Sequence, residues 1–484
     1  MSEFFKYKTS ADLISGASAL GHTLEVAEDV TSLFQPFDFG QQFDFGTCRA
    51  GNRLVIHPME GCDGTLDGLP DELTYRRYRR FGGGGAKLIW GEAAAVCPEG
   101  RANTRQLWIA DHSAAALEEM LRQCRQAHRD AGLDDTDLVV GLQLTHSGRY
   151  SVAGPVVATR DPLLDPLVID KRTGRSVSEN PLVTDGELER LADQFVAAAK
   201  LAYRIGFDFV DIKQCHRYLL SELLASTGRP GMYGGSFENR TRLALSIVRR
   251  VREECPGKLI ATRMNAYDGI PHRARAEDNV GQPVPHTLPV TTAWGTDPLD
   301  PSREDLSEPV RYAQALCEAG VGLINVSMGN PYANPHVVRP ADYPPVDGYR
   351  APEHPLHGVA RHFRIARAIQ AAVAVPVVGG GYSWLQEFAG HVAAANVARG
   401  DTAFVGFGRA TLSHPDFANA LATEGRFHRK RVCRTFSYCT GLMRAKDHPL
   451  GQYETGCPPF DKEAYGGVWK EVEAKRAARG ERPA

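Results

Sequence analysis

Residues 184–214 read TDGELERLADQFVAAAKLAYRIGFDFVDIKQ. Thr184 followed three residues later by Glu187 is a capping box, a pairing that satisfies free N–H groups at a helix start. Leu188, Leu191, Phe195 and Ala198 then recur at helical spacing and form one apolar stripe. Gly206 ends the helix, because glycine accepts the left-handed backbone of a helix terminus. The run Phe207–Gln214 follows at once, and its nearly continuous apolar character predicts a strand buried on both faces. A helix feeding straight into a buried strand is one unit of an α/β fold.

The unit recurs in both directions. Upstream lie Arg53–Met59 (RLVIHPM), Ala86–Glu92 (AKLIWGE) and Leu138–Leu144 (LVVGLQL). Downstream lie Leu259–Asn265 (LIATRMN), Leu323–Gly329 (LINVSMG), Val375–Gly381 (VPVVGGG) and Phe404–Arg409 (FVGFGR). Helical patterns over Asp111–Gly132 and Glu308–Gly320 repeat the helix-then-strand order. Eight such strands with helices between them predict an α/β protein built as a single (β/α)8 TIM barrel. An open doubly wound sheet is the alternative. It lacks its usual mark, since no strand leads into a GxGxxG or GxxxxGK[ST] loop. The glycine run Gly82–Gly85 precedes its strand, the wrong side for a phosphate loop.

The expected organisation is an N-terminal extension over 1–52, a barrel over 53–415 and a C-terminal tail over 416–484 that ends in the charged helix Lys462–Arg479. Two insertions rich in Pro, Gly, Asp and Arg, Ser147–Thr184 and Ala266–Arg303, follow strands. Loops after strands sit on the functional face of a barrel, so both are expected to cover a pocket. The chain has 484 residues, of which 43% are hydrophobic, enough for a large core. A formal net charge of −2 argues against a nucleic-acid or membrane partner. The N-terminus lacks a signal-peptide layout, and no apolar run is long enough to span a bilayer. Ten cysteines in this length do not form a disulfide framework. The expectation is a cytoplasmic protein acting on a small molecule and compatible with a homo-oligomer.

In a barrel, chemistry sits at the C-terminal strand ends. Those ends read His57-Pro58-Met59-Glu60, Trp90-Gly91-Glu92, Gln143 with His146, Lys213 with His216 and Tyr218, Arg263, Ser327, Gly379–Gly381, and Gly408-Arg409. A Gln or His in such a place is also a common structural hydrogen-bonder. The glycines after the seventh and eighth strands say more. There the fold places its phosphate site, where bare backbone N–H groups approach an anion and Arg409 adds a two-pronged donor.

Six strings, in order, resemble the old yellow enzyme family. They are Asn52-Arg53-Leu54 leading to Pro58-Met59, Leu88-Ile89 leading to Glu92, and Gln143-Leu-Thr-His-Ser-Gly-Arg149. Gly206-Phe207-Asp208 leading to His216-Arg-Tyr-Leu-Leu220, Tyr233-Gly-Gly-Ser-Phe-Glu-Asn-Arg240, and Val405-Gly-Phe-Gly-Arg-Ala410 complete the set. The likeness covers roughly Asn52 to Pro415 and implies FMN at the barrel mouth, with NADH or NADPH as electron donor. It implies that Pro58, Met59 and Ala86 meet the flavin ring, that Gln143 reads its pyrimidine edge and that Arg263 stands near N1. It further implies that Gly380, Gly381, Gly408 and Arg409 hold the phosphate. His216 would bind the substrate, and Tyr218 would give a proton to the substrate carbon.

Two positions depart from the family. Glu60 stands where relatives carry a small Thr or Cys beside the flavin, and Lys213 where many carry the first His of a His-x-x-His or His-x-x-Asn pair. Both should face the barrel mouth and compensate each other's charge, because burying either alone is costly. The alternative has Lys213 pointing outward or binding an anionic substrate by itself. The tail departs as well. Cys433, Cys439 and Cys457 resemble part of a [4Fe–4S] motif, but Phe436 occupies the second cysteine position, so no cluster is expected. The leading function is therefore FMN-dependent hydride transfer to or from a small organic substrate. A flavin-binding barrel without turnover and a metal-dependent hydrolase using His57, His146 and His216 are the alternatives. No metal ligand set is expected.

Overall fold

The computed structural model describes residues 4–40, 45, 48–342 and 348–480. Eight strands close into a barrel: β1 (Leu54–Ile56), β2 (Leu88–Ala95), β3 (Val139–Thr145), β4 (Phe209–Ile212), β5 (Leu259–Asn265), β6 (Leu323–Ser327), β7 (Val377–Gly379) and β8 (Phe404–Phe407). Every neighbouring pair is parallel, and β8 returns to β1. This is the expected (β/α)8 barrel, with the eight strands where the sequence placed them.

The helix Asp185–Arg204 shows why the units form. Thr184 Oγ1 accepts from Glu187 N–H at 3.2 Å, and Glu187 returns the bond to Thr184 N–H at 2.8 Å. Leu188, Leu191, Phe195 and Ala198 are buried against the barrel. Each large member of that stripe contributes about 1.5–3 kcal/mol. Phe195 has no exposed surface, so Phe195→Ala would cost about 3–5 kcal/mol. Gly206 then turns with a φ of 102°, and Phe209 enters the barrel.

The bottom of the barrel is sealed by the N-terminal extension. Phe37 and Phe39 pack with Trp90, Phe209 and Phe404, and the Phe39 and Phe404 rings stack at 5.8 Å. The interior is thus filled from below and opens only where the strands end. The tail crosses that open face. Thr455 N–H donates to Gly61 O at 2.6 Å, and Asp461 takes both arms of Arg76 at 2.8 and 2.9 Å. Among the described residues, no helix is long and apolar enough to cross a membrane.

Candidate active site

A cavity of about 490 Å³ opens at the C-terminal ends of the strands. On the β7–β8 side its wall is Gly380, Gly381, Gly406, Gly408 and Arg409, with His362 beside them. Gly381 has a φ of 90°, and a Cβ there would come within 2.8 Å of the His362 side chain. No other residue suits that position. Arg409 donates through Nη2 to Pro340 O at 2.8 Å, while its Nη1 finds no partner in the protein. His362 Nε2 is likewise without a partner, and burial followed by Arg361 pushes its pKa down to about 4. A buried donor left open costs free energy, so the open Arg409 Nη1 makes this corner suit an anion rich in acceptor oxygens. A phosphate group fits.

The middle of the cavity is set by a buried carboxylate. Asp211 on β4 accepts from Gln143 Nε2 at 2.6 Å, Trp90 Nε1 at 2.8 Å and the Arg263 backbone N–H at 2.7 Å. Burial pushes its pKa up to about 6 in spite of these bonds. The bond to Nε2 fixes the Gln143 amide in one orientation. Arg263 also lines the cavity, and its Nε is buried without a partner. Burial, and then the Arg263 charge, hold His57 and His216 well below the usual histidine range. Both rings are neutral near pH 7.

The loop after β1 brings Pro58, Met59 and Glu60 into the wall. It is tied down through Glu92, which a bulge between Gly91 and Ala93 turns out of the β2–β3 register. Glu92 accepts from Gly61 N–H at 3.0 Å and from Arg77 at 2.6 Å, and Arg77 also grips Asp63.

The β4 side carries Lys213, His216 and Tyr218. His216 and Arg217 both have left-handed backbones, with φ of 65° and 59°. Such a pair costs roughly 1–2 kcal/mol per residue and must be held. Asn265 Oδ1 accepts from His216 N–H at 3.2 Å, and Arg217 reaches Asp161 at 2.7 Å and Asp268 at 3.0 Å. The turn aims His216 Nε2 to 3.1 Å from Ser327 Oγ and starts a short helix at Tyr218. The Tyr218 hydroxyl lies 3.1 Å from that of Tyr332. Burial, and then Tyr332 and Glu60, raise the Tyr218 pKa well above the ordinary tyrosine value. Lys213 Nζ stands 4.0 Å from the Tyr218 ring centroid and 3.7 Å from Glu60 Oε1. Lys213 therefore points inward and faces Glu60. Burial raises the Glu60 pKa, while Lys213 and then Lys446 oppose that rise.

The cavity brings together Pro58, Met59, Glu60, Gln143, Lys213, His216, Tyr218, Arg263, Gly380, Gly381, Gly408 and Arg409. Ala86 is a correction. It precedes β2 at the barrel's closed end and does not line the cavity. A strand's first residues and its functional tip lie on opposite faces of the barrel, so Ala86 cannot reach the mouth.

The expected cover is a second correction. Neither insertion supplies a lining residue. Their charges turn inward instead: Asp161 and Asp268 hold Arg217, while Asp165 joins Arg149 and Glu222 in a buried cluster behind Tyr218. The cover comes from the tail, through Cys439, Thr440, Met443, Arg444, Lys446, Gln452 and Thr455, and from Pro331–Pro340 after β6. Tyr332, Arg339 and His362 were also not foreseen. Only Tyr332 left a trace, as an aromatic in the loop after β6. Among the described residues, no group of three or more His, Cys, Asp or Glu side chains could hold a metal ion.

Residues 32–287 match the model of the NADH:flavin oxidoreductase / NADH oxidase family. An NADPH dehydrogenase from Geobacillus sp. (strain WCH70) is 30% identical over 308 residues, covering 62% of this chain and 74% of that one. An NADH oxidase from Thermoanaerobacter brockii is 26% identical over 385 residues, and there the match spans 79% of this chain but only 50% of the relative. The old yellow enzyme homologue from Zymomonas mobilis superposes with a TM-score of 0.57 at 22% identity, covering 84% of this chain and 96% of that one, a likeness of fold.

Proposed function

The chain belongs to the NADH:flavin oxidoreductase / NADH oxidase family, and on that premise we propose which of its residues carry the reaction and how. It is an FMN-dependent oxidoreductase with NAD(P)H as electron donor. FMN, when bound, supplies the hydride-carrying ring. One observation supports the assignment of residues: Arg263 and Arg409 line one cavity, and each keeps a buried N–H group with no partner in the protein.

Arg409 and the backbone of Gly380, Gly381 and Gly408 hold the phosphate. Gln143, fixed by Asp211, reads the pyrimidine edge. Pro58, Met59 and Glu60 border the ring. Arg263 places a fixed cation where negative charge gathers on reduction, which favours the reduced state. His216, neutral and oriented beside Ser327, binds the substrate's activating oxygen. Tyr218 gives its hydroxyl proton to the substrate carbon beside that activating group. A tyrosine whose pKa is raised stays protonated until the substrate arrives. Lys213 over the ring then offsets the charge left on the Tyr218 oxygen, and Tyr332 restores the proton.

The test is a spectrum followed by a titration. Purified protein should carry FMN that is released on denaturation, NAD(P)H should bleach it, and an α,β-unsaturated carbonyl compound should restore the colour. Protein that stays colourless after FMN addition would refute the reading.

A further inference from the structure

The loop after β6 begins Gly329-Asn330-Pro331-Tyr332. Pro331 has no N–H of its own, so the first donor beyond Asn330 belongs to Tyr332. Asn330 Oδ1 accepts it at 2.8 Å and takes the Ala333 N–H at 3.3 Å. This is an Asx turn, in which a side-chain oxygen stands in for a backbone carbonyl. Asn330 is buried. Its amide has one orientation, because only the oxygen can accept from N–H groups. Nδ2 is then aimed at the Tyr150 hydroxyl oxygen, to which it donates at 2.6 Å. The Asn330 backbone is fixed in turn. Its N–H donates to Asn334 Oδ1 at 2.6 Å, and Asn334 Nδ2 donates to Asp268 O at 2.8 Å.

Tyr150 joins this turn to the proton donor. Its ring centroid lies 4.5 Å from that of Tyr332 and 5.9 Å from that of Tyr218. Arg149, the residue before it, donates to Glu222 at 2.7 and 3.0 Å, and Glu222 belongs to the helix Leu219–Leu224 that Tyr218 begins. Tyr218 is thus held to the Tyr150 segment through Arg149, and Tyr332 through Asn330. The second tie matters more, because Tyr332 is the exposed member and burial does not fix its ring. Hydrogen bonds between hydroxyls span only roughly 2.5–3.0 Å. The Tyr218–Tyr332 contact at 3.1 Å has no room to lengthen.

We propose that Asn330 is a positioning residue for proton transfer: through Tyr150 and the Tyr332 backbone it keeps the Tyr332 hydroxyl within reach of Tyr218, so that the proton leaving Tyr218 is replaced as it goes. The inference rests on the flavin reading and its role for Tyr218. The step moves one proton at a time. The Tyr332 O–H bond breaks as the Tyr218 O–H bond re-forms, and solvent returns a proton to Tyr332.

The experiment compares Asn330→Ala, Tyr150→Phe and Tyr332→Phe by stopped flow on the FMN-loaded enzyme, with FMN content read first from its absorbance. Asn330→Ala should leave flavin reduction by NAD(P)H almost intact. Reoxidation by an α,β-unsaturated carbonyl compound should slow by about tenfold or more, since a misplacement of about 1 Å can cost about a hundredfold. Its solvent isotope effect should rise as in Tyr332→Phe. In a Tyr332→Phe background the Asn330 change should add nothing to that loss, because the hydroxyl it positions is already gone. Tyr150→Phe keeps the ring and removes only the acceptor of Nδ2, so it should slow the same half-reaction by less, and it carries the test if Asn330→Ala does not fold. Full reoxidation rates in the variants that fold, equal losses in both half-reactions, or the same loss with and without Tyr332→Phe overturn the proposal. Protein without FMN would refute the flavin reading, and a crystal structure of the variant would still decide the positioning. The Tyr218–Tyr332 contact should open there, and a contact kept at its present length overturns the proposal.

Discussion

The Tyr218 and Tyr332 hydroxyls stand 3.1 Å apart, the first on a side chain 4% exposed and the second on one 42% exposed. The pair links a buried proton to solvent. Tyr218→Phe should leave FMN bound and its reduction by NAD(P)H almost intact. Reoxidation by an unsaturated carbonyl substrate should slow by about two orders of magnitude or more, the range for loss of a general acid. Tyr332→Phe should slow the same half-reaction less and should enlarge its solvent isotope effect. Stopped-flow traces of the two half-reactions check both.

Arg409→Ala removes a charge-assisted donor from the phosphate corner. Hydrogen bonds to charged groups contribute about 1.5–3 kcal/mol, so FMN should bind about ten- to a hundredfold more weakly. Fluorescence of free FMN after dialysis measures it. The melting temperature of FMN-free protein should change little, because among the described residues Arg409 donates to the Pro340 carbonyl alone.

Glu60 and Lys213 face each other in the cavity wall, and their proposed place beside the flavin ring gives a signed cycle. Lys213→Met should lower the flavin midpoint potential and Glu60→Gln should raise it. The double variant should lie nearer the parent than either single one. A coupling of about 1.4 kcal/mol corresponds to about 30 mV for two electrons. Strictly additive potentials would show that the two groups act independently.

Acid should destabilise the protein through its buried histidines, and His146 isolates the effect. Its folded pKa is pushed down to about 4, by burial first, from an ordinary 6.5. The unfolded chain therefore binds the proton more readily, and stability present above pH 6.5 is lost as pH falls toward 4. The full difference is about 3 kcal/mol. His146→Asn retains an acceptor for the Gly148 N–H, which His146 Nδ1 now receives, and cannot charge. Its urea midpoint should fall less steeply than the parent's over that window.

Arg217→Met should strand Asp161 and Asp268, which are both buried. Breaking such a network costs about 3–5 kcal/mol. The loss in stability should come with a loss of substrate reoxidation, since the turn at His216 and Arg217 aims both His216 and Tyr218. Equal loss of flavin binding would show that the clamp instead supports the whole mouth.

Much of this site could be read from the sequence because a barrel puts its chemistry at the tips of strands that announce themselves by apolar runs. Gln143, Lys213, Arg263 and Gly380 each stand at or just past such a tip. Ala86 failed by the same logic, since it stands at the base of β2. The polar insertions resembled a cover by composition, yet their aspartates are turned toward Arg149 and Arg217. Lys446 and Gln452 had no local signature, because only the path of the tail brings them to the mouth.

That path has a consequence for how the protein is made. Strand β8 ends at Phe407, and the segment that covers the cavity, Cys439 to Thr455, leaves the ribosome later. A nascent chain thus passes through a stage with all eight strands synthesised and only the Pro331–Pro340 part of the cover made. Asp461 on Arg76 then ties the chain beyond that cover to the helix Glu72–Gly82 after β1, so the two ends of the barrel sequence meet above the cavity.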